Sequence, residues 1–365
     1  MSQLSIPYGK QSIDQSDLDA VTEVLLSPML TTGPAVEVFE QAVADYVGSE
    51  FAVAFSSATA GLHGACFAAG LGPGDRVGTS PLTFIASANC ARYVGASPIL
   101  IDIDESTWNI DLDAIDSSLD ALVAVHYAGL PVALEALGHR PRVVIEDASH
   151  ALGARTQDGM VGNCAHSDMA VFSFHPVKPI TTGEGGMVTT NDAELANRLR
   201  RFRSHGIDRT ATEDAWFYDA VELGFNYRMT DIHAALGTSQ LRRLDRNITR
   251  RNELASQYRD LLTGLPVVLP PAAPARNLHG YHLFPVRVPR RAEVFRSMRE
   301  RGVGVQVHYV PVHHHSISTD IAIPPEGFPV ADAVYDGLMS LPMYPDLTDA
   351  QQLIVVEALR ESLEA

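Results

Sequence analysis

Between residues 51 and 190 the chain alternates short, unbroken apolar runs with stretches of helical period. The runs cover 51–55, 98–102, 122–126, 142–147, 170–174 and 187–190, and another ends just before Ser80. A strand wetted on one face shows a polar residue at every second position, whereas an unbroken run reads as a strand covered on both faces. Runs separated by helix-length segments are joined by crossovers rather than hairpins. That pattern predicts an α/β fold with a mostly parallel central sheet flanked by helices. Such a sheet gathers the carboxyl ends of its strands along one edge, and ligands settle there. Asp147, His150, Ser173 and Lys178 all fall just past run ends, so the topology alone predicts that they meet.

Lys178 stands out on chemistry as well. The chain has 27 Lys and Arg residues, and only Lys10 and Lys178 are lysines. A solvated charge or an ion pair works with either residue, but only lysine can be desolvated to a neutral amine. A chain that writes nearly every cation as Arg, yet keeps Lys178 between Pro176 and Pro179, points to a task for a deprotonatable amine. Schiff-base chemistry is the main such task. The alternative is an ordinary surface lysine. The flanks argue against it: 171–174 reads as the end of a buried strand and 181–186 as a glycine-bearing turn.

The first strand runs into Ser56-Ser57-Ala58-Thr59 and then an Ala/Gly-rich helix through Gly70. Free amides and the helix dipole at such a start suit an anion; a plain N-cap by Ser57 or Thr59 is the other reading. Upstream, Asp14 reads as the N-cap of a helix with Leu18, Val21, Val24 and Leu25 on its apolar face. A second helix carries Val36, Phe39, Val43 and Tyr46 and stops at Gly48. Downstream, a helix over 195–209 carries Arg198, Arg200, Arg201, Arg203 and Arg209, read as a solvated face, with a role in receiving a diphosphate as the alternative. A helix over 230–241 follows, and a long polar helix over 245–262 bridges to a second unit. Past the Pro/Ala-rich 269–276 the pattern becomes strand 281–288, helix 291–302, strand 304–309 and closing helix 348–363. We therefore expect a large α/β domain over 1–245 with an N-terminal arm, and a smaller α+β domain over 246–365.

The formal charge of -17 argues against nucleic acid and anionic membrane as partners, so an anionic substrate needs a local positive site. Cys66, Cys90 and Cys164 are isolated, with no CxxC pair, which fits reduced thiols in the cytoplasm rather than a disulfide framework. No apolar run reaches the roughly 20 residues of a membrane span, and the first residues show no signal pattern.

FSFHPVKPITTGEGGM, residues 172–187, resembles the lysine motif of the DegT/StrS family of pyridoxal-phosphate sugar aminotransferases. The resemblance runs from IPYGKQSID through GFNYRMTDIHAALG to VQVHYVPVH. It implies a fold type I transferase, pyridoxal 5'-phosphate as cofactor and a homodimer with shared active sites. Lys178 would hold the cofactor covalently and shuttle the substrate proton. Asp147, in VVIEDASH, would keep the pyridine nitrogen protonated and make the ring an electron sink; a turn-capping Asp is its structural alternative. Ser57, Ala58, Thr59 and Ser173 would bind phosphate. Phe84 would stack on the ring, unless it is a core residue. His150 would approach the cofactor's 3-hydroxyl oxygen, and Asn226 would reach the phosphate across the dimer interface. Within the family the chain most resembles the UDP-4-amino-4,6-dideoxy-N-acetyl-β-L-altrosamine transaminases of pseudaminic acid synthesis. Tyr8, Leu30, Thr31, Ser57, His313, His314 and His315 match positions that line the sugar site there, although aromatic residues or Gln are commoner where this chain has its histidine run. L-glutamate is the implied amino donor and a nucleotide-linked 4-keto-6-deoxy sugar the acceptor. Aminotransferases of the GDP-perosamine or dTDP-amino-sugar type are the alternative.

Other readings fit less well. The histidine run with His308 raises a metal site, since His is the commonest metal ligand. Three adjacent histidines do not easily face one ion from an extended loop, and no HExxH or carboxylate–His spacing accompanies them, so no metal is expected. A cofactor-binding regulator without turnover would append a DNA-binding module, for which the chain has neither length nor basic charge. The family's deoxysugar dehydratases carry His in place of the lysine; Lys178 argues for transamination.

Overall fold

The computed structural model describes residues 6–208 and 216–365. Asp14 starts the first helix, α1 (Gln15–Leu26). Its carboxylate accepts the Ser16 N–H at 2.9 Å, and Asp17 accepts the Asp14 N–H at 3.1 Å, a capping box. Helix α2 (Pro34–Val47) buries Val36, Phe39 and Val43 as expected and ends at Gly48, whose φ of 83° costs a glycine nothing. The apolar stripe of α1 is different. Among its residues only Asp17 is buried, and it accepts bonds from Ser239 Oγ (2.7 Å), Gln240 Nε2 (2.6 Å) and Arg243 (2.6 Å). Leu18, Leu25 and Leu26 stay exposed. Polar contacts pin this helix and leave its apolar side facing outward.

The central sheet follows the apolar runs: β1 (Phe51–Phe55), β2 (Arg76–Thr79), β3 (Ser97–Leu100), β4 (Ala121–Val125), β5 (Val143–Asp147), β6 (Met169–Ser173) and β7 (Gly186–Thr190). Their spatial order is 1-7-6-5-4-2-3. Only β7 runs against the others, pairing antiparallel with both β1 and β6. Helices α3 (Ala58–Ala68), α4 (Ala86–Tyr93) and α5 (Ala193–Arg203) cover one face, while α2, α6 (Asp231–Leu241) and the start of α7 (Leu244–Leu261) cover the other. Side chains alternate between these layers: Val53 and Phe55 enter the first, Ala52 and Ala54 the second.

Helix α7 joins two cores. Leu244 and Ile248 pack under the sheet, while Leu254, Ala255 and Tyr258 pack into the C-terminal part. The fully buried Arg251 between them donates to the carbonyls of Tyr281 (3.0 Å), His282 (3.3 Å) and Met343 (3.0 Å). The C-terminal part holds the antiparallel pair β8 (Phe284–Arg287) and β9 (Leu338–Leu341), with α8 (Arg291–Glu300), α9 (Pro329–Gly337) and α10 (Asp349–Glu364).

Two elements depart from expectation. Segment 304–309 is not a strand and makes one bridge, Gln306 to Ser340. The N-terminal arm crosses it at Gly304, whose N–H bonds the Ile6 carbonyl at 2.7 Å; a Cβ at 304 would lie 2.8 Å from the Tyr8 nitrogen. Pinned there, the segment turns Tyr309 inward to His150, and extended pairing stops. The arginine-bearing helix ends at Arg203, not at 209. His205 and Gly206 take φ of 65° and 68°, and the Gly206 N–H closes on the Arg201 carbonyl at 2.8 Å. Arg209 lies outside the described residues.

Candidate active site

The carboxyl ends of β5 and β6 and the start of α3 open on one cavity of about 560 Å³. Lys178, Asp147, Ser57, Ala58, Thr59, Phe84, His150 and Ser173 line it, with Tyr8 entering from the arm. The parallel sheet does this work, since it brings distant strand ends to one edge.

Lys178 sits in a turn past β6, with its backbone N–H on the His175 carbonyl at 2.9 Å. It is the only Lys or Arg among the described lining residues. Burial pulls its amine from 10.5 down to about 8, against the opposing pull of the Asp147 charge. A neutral, nucleophilic amine is therefore within reach near neutral pH.

Asp147 is held from behind. One carboxylate oxygen accepts the Ser87 hydroxyl at 2.7 Å, and the other accepts the Ser149 N–H at 3.2 Å. Ser87 is itself bonded to Thr83 at 2.8 Å. The neighbouring Glu146 turns to the opposite layer, where it meets His126 Nε2 at 2.7 Å and the Ser167 hydroxyl.

Three buried histidines surround the lysine. His150 Nε2 lies 2.9 Å from the Tyr309 hydroxyl, and His308 Nδ1 lies 2.9 Å from Ser340 Oγ. Burial, reinforced by the Lys178 charge, holds His150, His282 and His308 below the usual histidine range, His308 down to about 3. They stay neutral donors and acceptors rather than cations.

At the other end, Ser57 caps α3 by accepting the Ala60 N–H at 3.1 Å. The capping reading is right for its hydroxyl, while Ala58 and Thr59 still line the cavity. Gly186 makes this end close: a Cβ there would fall 2.5 Å from the Ser57 carbonyl carbon and 2.6 Å from the Ala58 nitrogen. Phe84 is not a core residue. Its ring is 54% exposed and tilts against Tyr309 at 5.7 Å.

This donor set fits pyridoxal 5'-phosphate. It offers a desolvated amine, an anchored carboxylate, a helix start and an open aromatic face. The buried Nδ1 atoms of His150 and His282 have no hydrogen-bond partner among the described residues, as expected of groups awaiting a polar ligand.

Other expected positions lie outside the cavity. The Leu30 carbonyl accepts the Asp231 N–H at 3.0 Å, and Thr31 bridges Thr230. Buried Asp231 in turn accepts the N–H groups of Gly33 (2.9 Å) and Ala35 (3.0 Å), fixing this loop to α2. Asn226 is exposed beside Ser204. His313 and His314 both meet Asp332 of α9, and His315 follows them outside the cavity lining. Three residues escaped the sequence reading: Ser87, Tyr309 and His282. Ser87 had a faint signal, lying three positions past Phe84 on the same helical side. Tyr309 stood inside the VQVHYVPVH motif without a role.

Ser87→Ala removes a hydrogen bond to a charged group, an interaction worth about 1.5–3 kcal/mol. Turnover of the cofactor-loaded protein should fall about 10-fold or more, with an unaltered far-ultraviolet circular dichroism spectrum. Parental turnover would show that Ser149 alone orients Asp147.

The model of the DegT/DnrJ/EryC1/StrS aminotransferase family matches residues 11–360. The spore coat polysaccharide biosynthesis protein SpsC of Bacillus subtilis is 36% identical, over 98% of this chain and 96% of its own. Among solved structures, PseC of Helicobacter pylori, an aminotransferase involved in the biosynthesis of pseudoaminic acid, superposes with a TM-score of 0.90 at 30% identity. The match covers 98% of this chain and 99% of that one. Spr1654 of Streptococcus pneumoniae in its PMP form gives 0.92 at 26% identity, over 99% of both chains. Matched nearly end to end, in sequence and in fold, the chain belongs to the DegT/DnrJ/EryC1/StrS family and is a sugar aminotransferase that works with pyridoxal 5'-phosphate.

Proposed function

We propose that this enzyme moves the amino group of L-glutamate to the 4-keto carbon of a UDP-linked 4-keto-6-deoxy-N-acetyl sugar of the altrosamine type, the amination used for pseudaminic acid. The observation that carries the transamination is a desolvated Lys178, at about 8, in the same cavity as an anchored Asp147. The sugar assignment draws support from the likeness to PseC and from Tyr8 at the cavity wall.

When bound, the cofactor supplies a ring that withdraws electrons from the amino-acid Cα. Asp147 holds a proton on the ring nitrogen, so that withdrawal is strong. Lys178 Nζ would take the proton from Cα and deliver it to the cofactor's C4′ carbon, a general acid–base role that a group near pH 8 performs well. Ala58, Thr59 and Ser173 would bind the phosphate, Phe84 would cover the ring, and His150 would steady the 3-hydroxyl side. The large part, 1–245, carries these groups, and 246–365 contributes His282, His308 and Tyr309 to the wall.

The active form is a homodimer in the cytoplasm. Leu18, Leu25, Leu26, Leu30 and Phe225 form exposed apolar surface of a kind that partners cover, and Asn226 is exposed, free of its own chain's cavity. There it would reach the cofactor phosphate held by the partner subunit. The three cysteines are buried and free, and no helix among the described residues is long and apolar enough to cross a membrane.

An absorption spectrum tests the first half of this reading. The cofactor-loaded protein should show a visible band that bleaches on adding L-glutamate and returns on adding the UDP-linked keto sugar. A band unmoved by glutamate would remove that donor. Histidines 313–315 depart from the altrosamine subgroup, and His313 and His314 engage Asp332, so GDP- and dTDP-linked keto sugars belong in the same titration. Faster return with either would replace the UDP sugar.

A further inference from the structure

The histidine run does something that its sequence does not suggest. Residues Val312–His314 form a short 3-10 turn, not an extended loop, with the His314 N–H on the Pro311 carbonyl at 2.9 Å. The turn places the rings of His313 and His314 in edge contact, 4.3 Å between centroids with their planes at 70°. Both Nε2 atoms then meet the same oxygen of Asp332, His313 at 3.0 Å and His314 at 3.1 Å. One donor atom from each residue lies within 4.8 Å of the other two. Asp332 comes from the first turn of α9, nineteen positions along the chain.

We propose that His313, His314 and Asp332 bind a divalent transition metal of the zinc type. Two imidazole nitrogens and one carboxylate oxygen are the ligand chemistry that zinc accepts. Zinc bonds of about 2.0–2.2 Å in a tetrahedral site set ligand atoms roughly 3.4 Å apart. The nitrogen–oxygen separations here need to open by only a few tenths of an ångström. His314 and Asp332 are part-exposed, with side chains 39% and 42% accessible, which leaves an entry path and a fourth position for water.

The frame is braced on both sides. The turn is tied to the sheet by the Val312 N–H on the Pro81 carbonyl at 2.8 Å. Helix α9 is tied by Asp102, which accepts the N–H groups of Val330 and Ala331, each at 2.9 Å. His313 also packs on Phe328 at 4.8 Å. An ion here clamps the turn to α9. The turn follows directly on the segment that carries His308 and Tyr309 into the cavity, so the clamp braces one wall of the active site.

The test uses the untagged, cofactor-loaded protein, stripped with EDTA, desalted and titrated calorimetrically with zinc chloride. We expect one site per chain. His314→Ala, at an exposed position, and Asp332→Asn should each weaken it at least about 10-fold. His166→Ala, which removes a surface histidine paired with Asp158 at 3.0 Å, should leave it unchanged. Zinc should also raise the melting temperature of the parent, as any ligand of the folded state does, and not that of the two ligand variants. No zinc uptake by the parent overturns the proposal, and so does uptake that survives both ligand substitutions. None of these readouts depends on which sugar the enzyme aminates.

Discussion

Lys178→Ala should abolish turnover, and Lys178→Arg should be equally inactive although it keeps the positive charge. Proton transfer by a positioned side chain is worth roughly 10²–10⁴-fold, and the covalent attachment is lost as well. Guanidinium stays protonated and cannot act as the amine. The depressed value of about 8 gives the same residue a pH signature. Below it the amine carries a proton and has no lone pair to offer. Capture of pyridoxal 5'-phosphate by the cofactor-free protein should therefore speed up as pH rises from 7 through about 8, not near the ordinary lysine value. The sign for stability follows. Between about 8 and 10.5 the unfolded chain holds the lysine proton and the folded chain has shed it, so stability rises with pH across that window. At pH 7 the buried cation costs stability in full. Lys178→Met, without cofactor, should then melt at or above the parent while being inactive. A variant inactive through misfolding would melt lower. Full activity in Lys178→Ala would end the assignment.

How much of this was legible beforehand depends on the distance over which each feature is decided. Apolar runs mark β4, β6 and the first three residues of β5 because a strand covered on both faces leaves little room for polar side chains. Once the runs are parallel, their ends meet, and Asp147, His150, Ser173 and Lys178 come together without further information. Lys178 was conspicuous because Arg filled nearly every other cationic position. What depends on remote backbone was not legible. Segment 304–309 has a strand's composition, but the arm that crosses it at Gly304 lies nearly 300 residues away. Tyr309 and His282 reach the cavity only because the C-terminal part docks there, with Arg251 holding the junction. The apolar face of α1 was legible, but not that Asp17 pins the helix with Leu18 and Leu25 left exposed. Periodicity reports which side of a helix is apolar, not what covers it. The pairing of His313 and His314 needed both a tight turn and a carboxylate from another helix.

Strand alternation also separates two adjacent carboxylates, and the second large prediction turns on it. Asp147→Asn should lower turnover by about 100-fold or more with the fold intact. The amide is the same shape, and its oxygen can still accept the Ser87 hydroxyl that now holds the carboxylate at 2.7 Å. What it lacks is the negative charge that, in the proposed role, would keep a proton on the cofactor's ring nitrogen, so electron withdrawal from the amino-acid Cα should weaken. Glu146→Gln makes the same chemical change one residue earlier and should behave in the opposite way. Glu146 faces the other layer, bonded to His126 and Ser167 away from the cavity. Its loss disturbs buried hydrogen bonds to a charged group, worth about 1.5–3 kcal/mol, and should lower the melting temperature while leaving turnover per folded enzyme near the parent's. Steady-state rates and thermal melts of the two variants, taken side by side, separate chemistry from support. Near-normal turnover in Asp147→Asn removes that residue from its role. A folded but inactive Glu146→Gln would mean that β5 presents the wrong face to the cofactor, and with it the geometry of the whole site would fall.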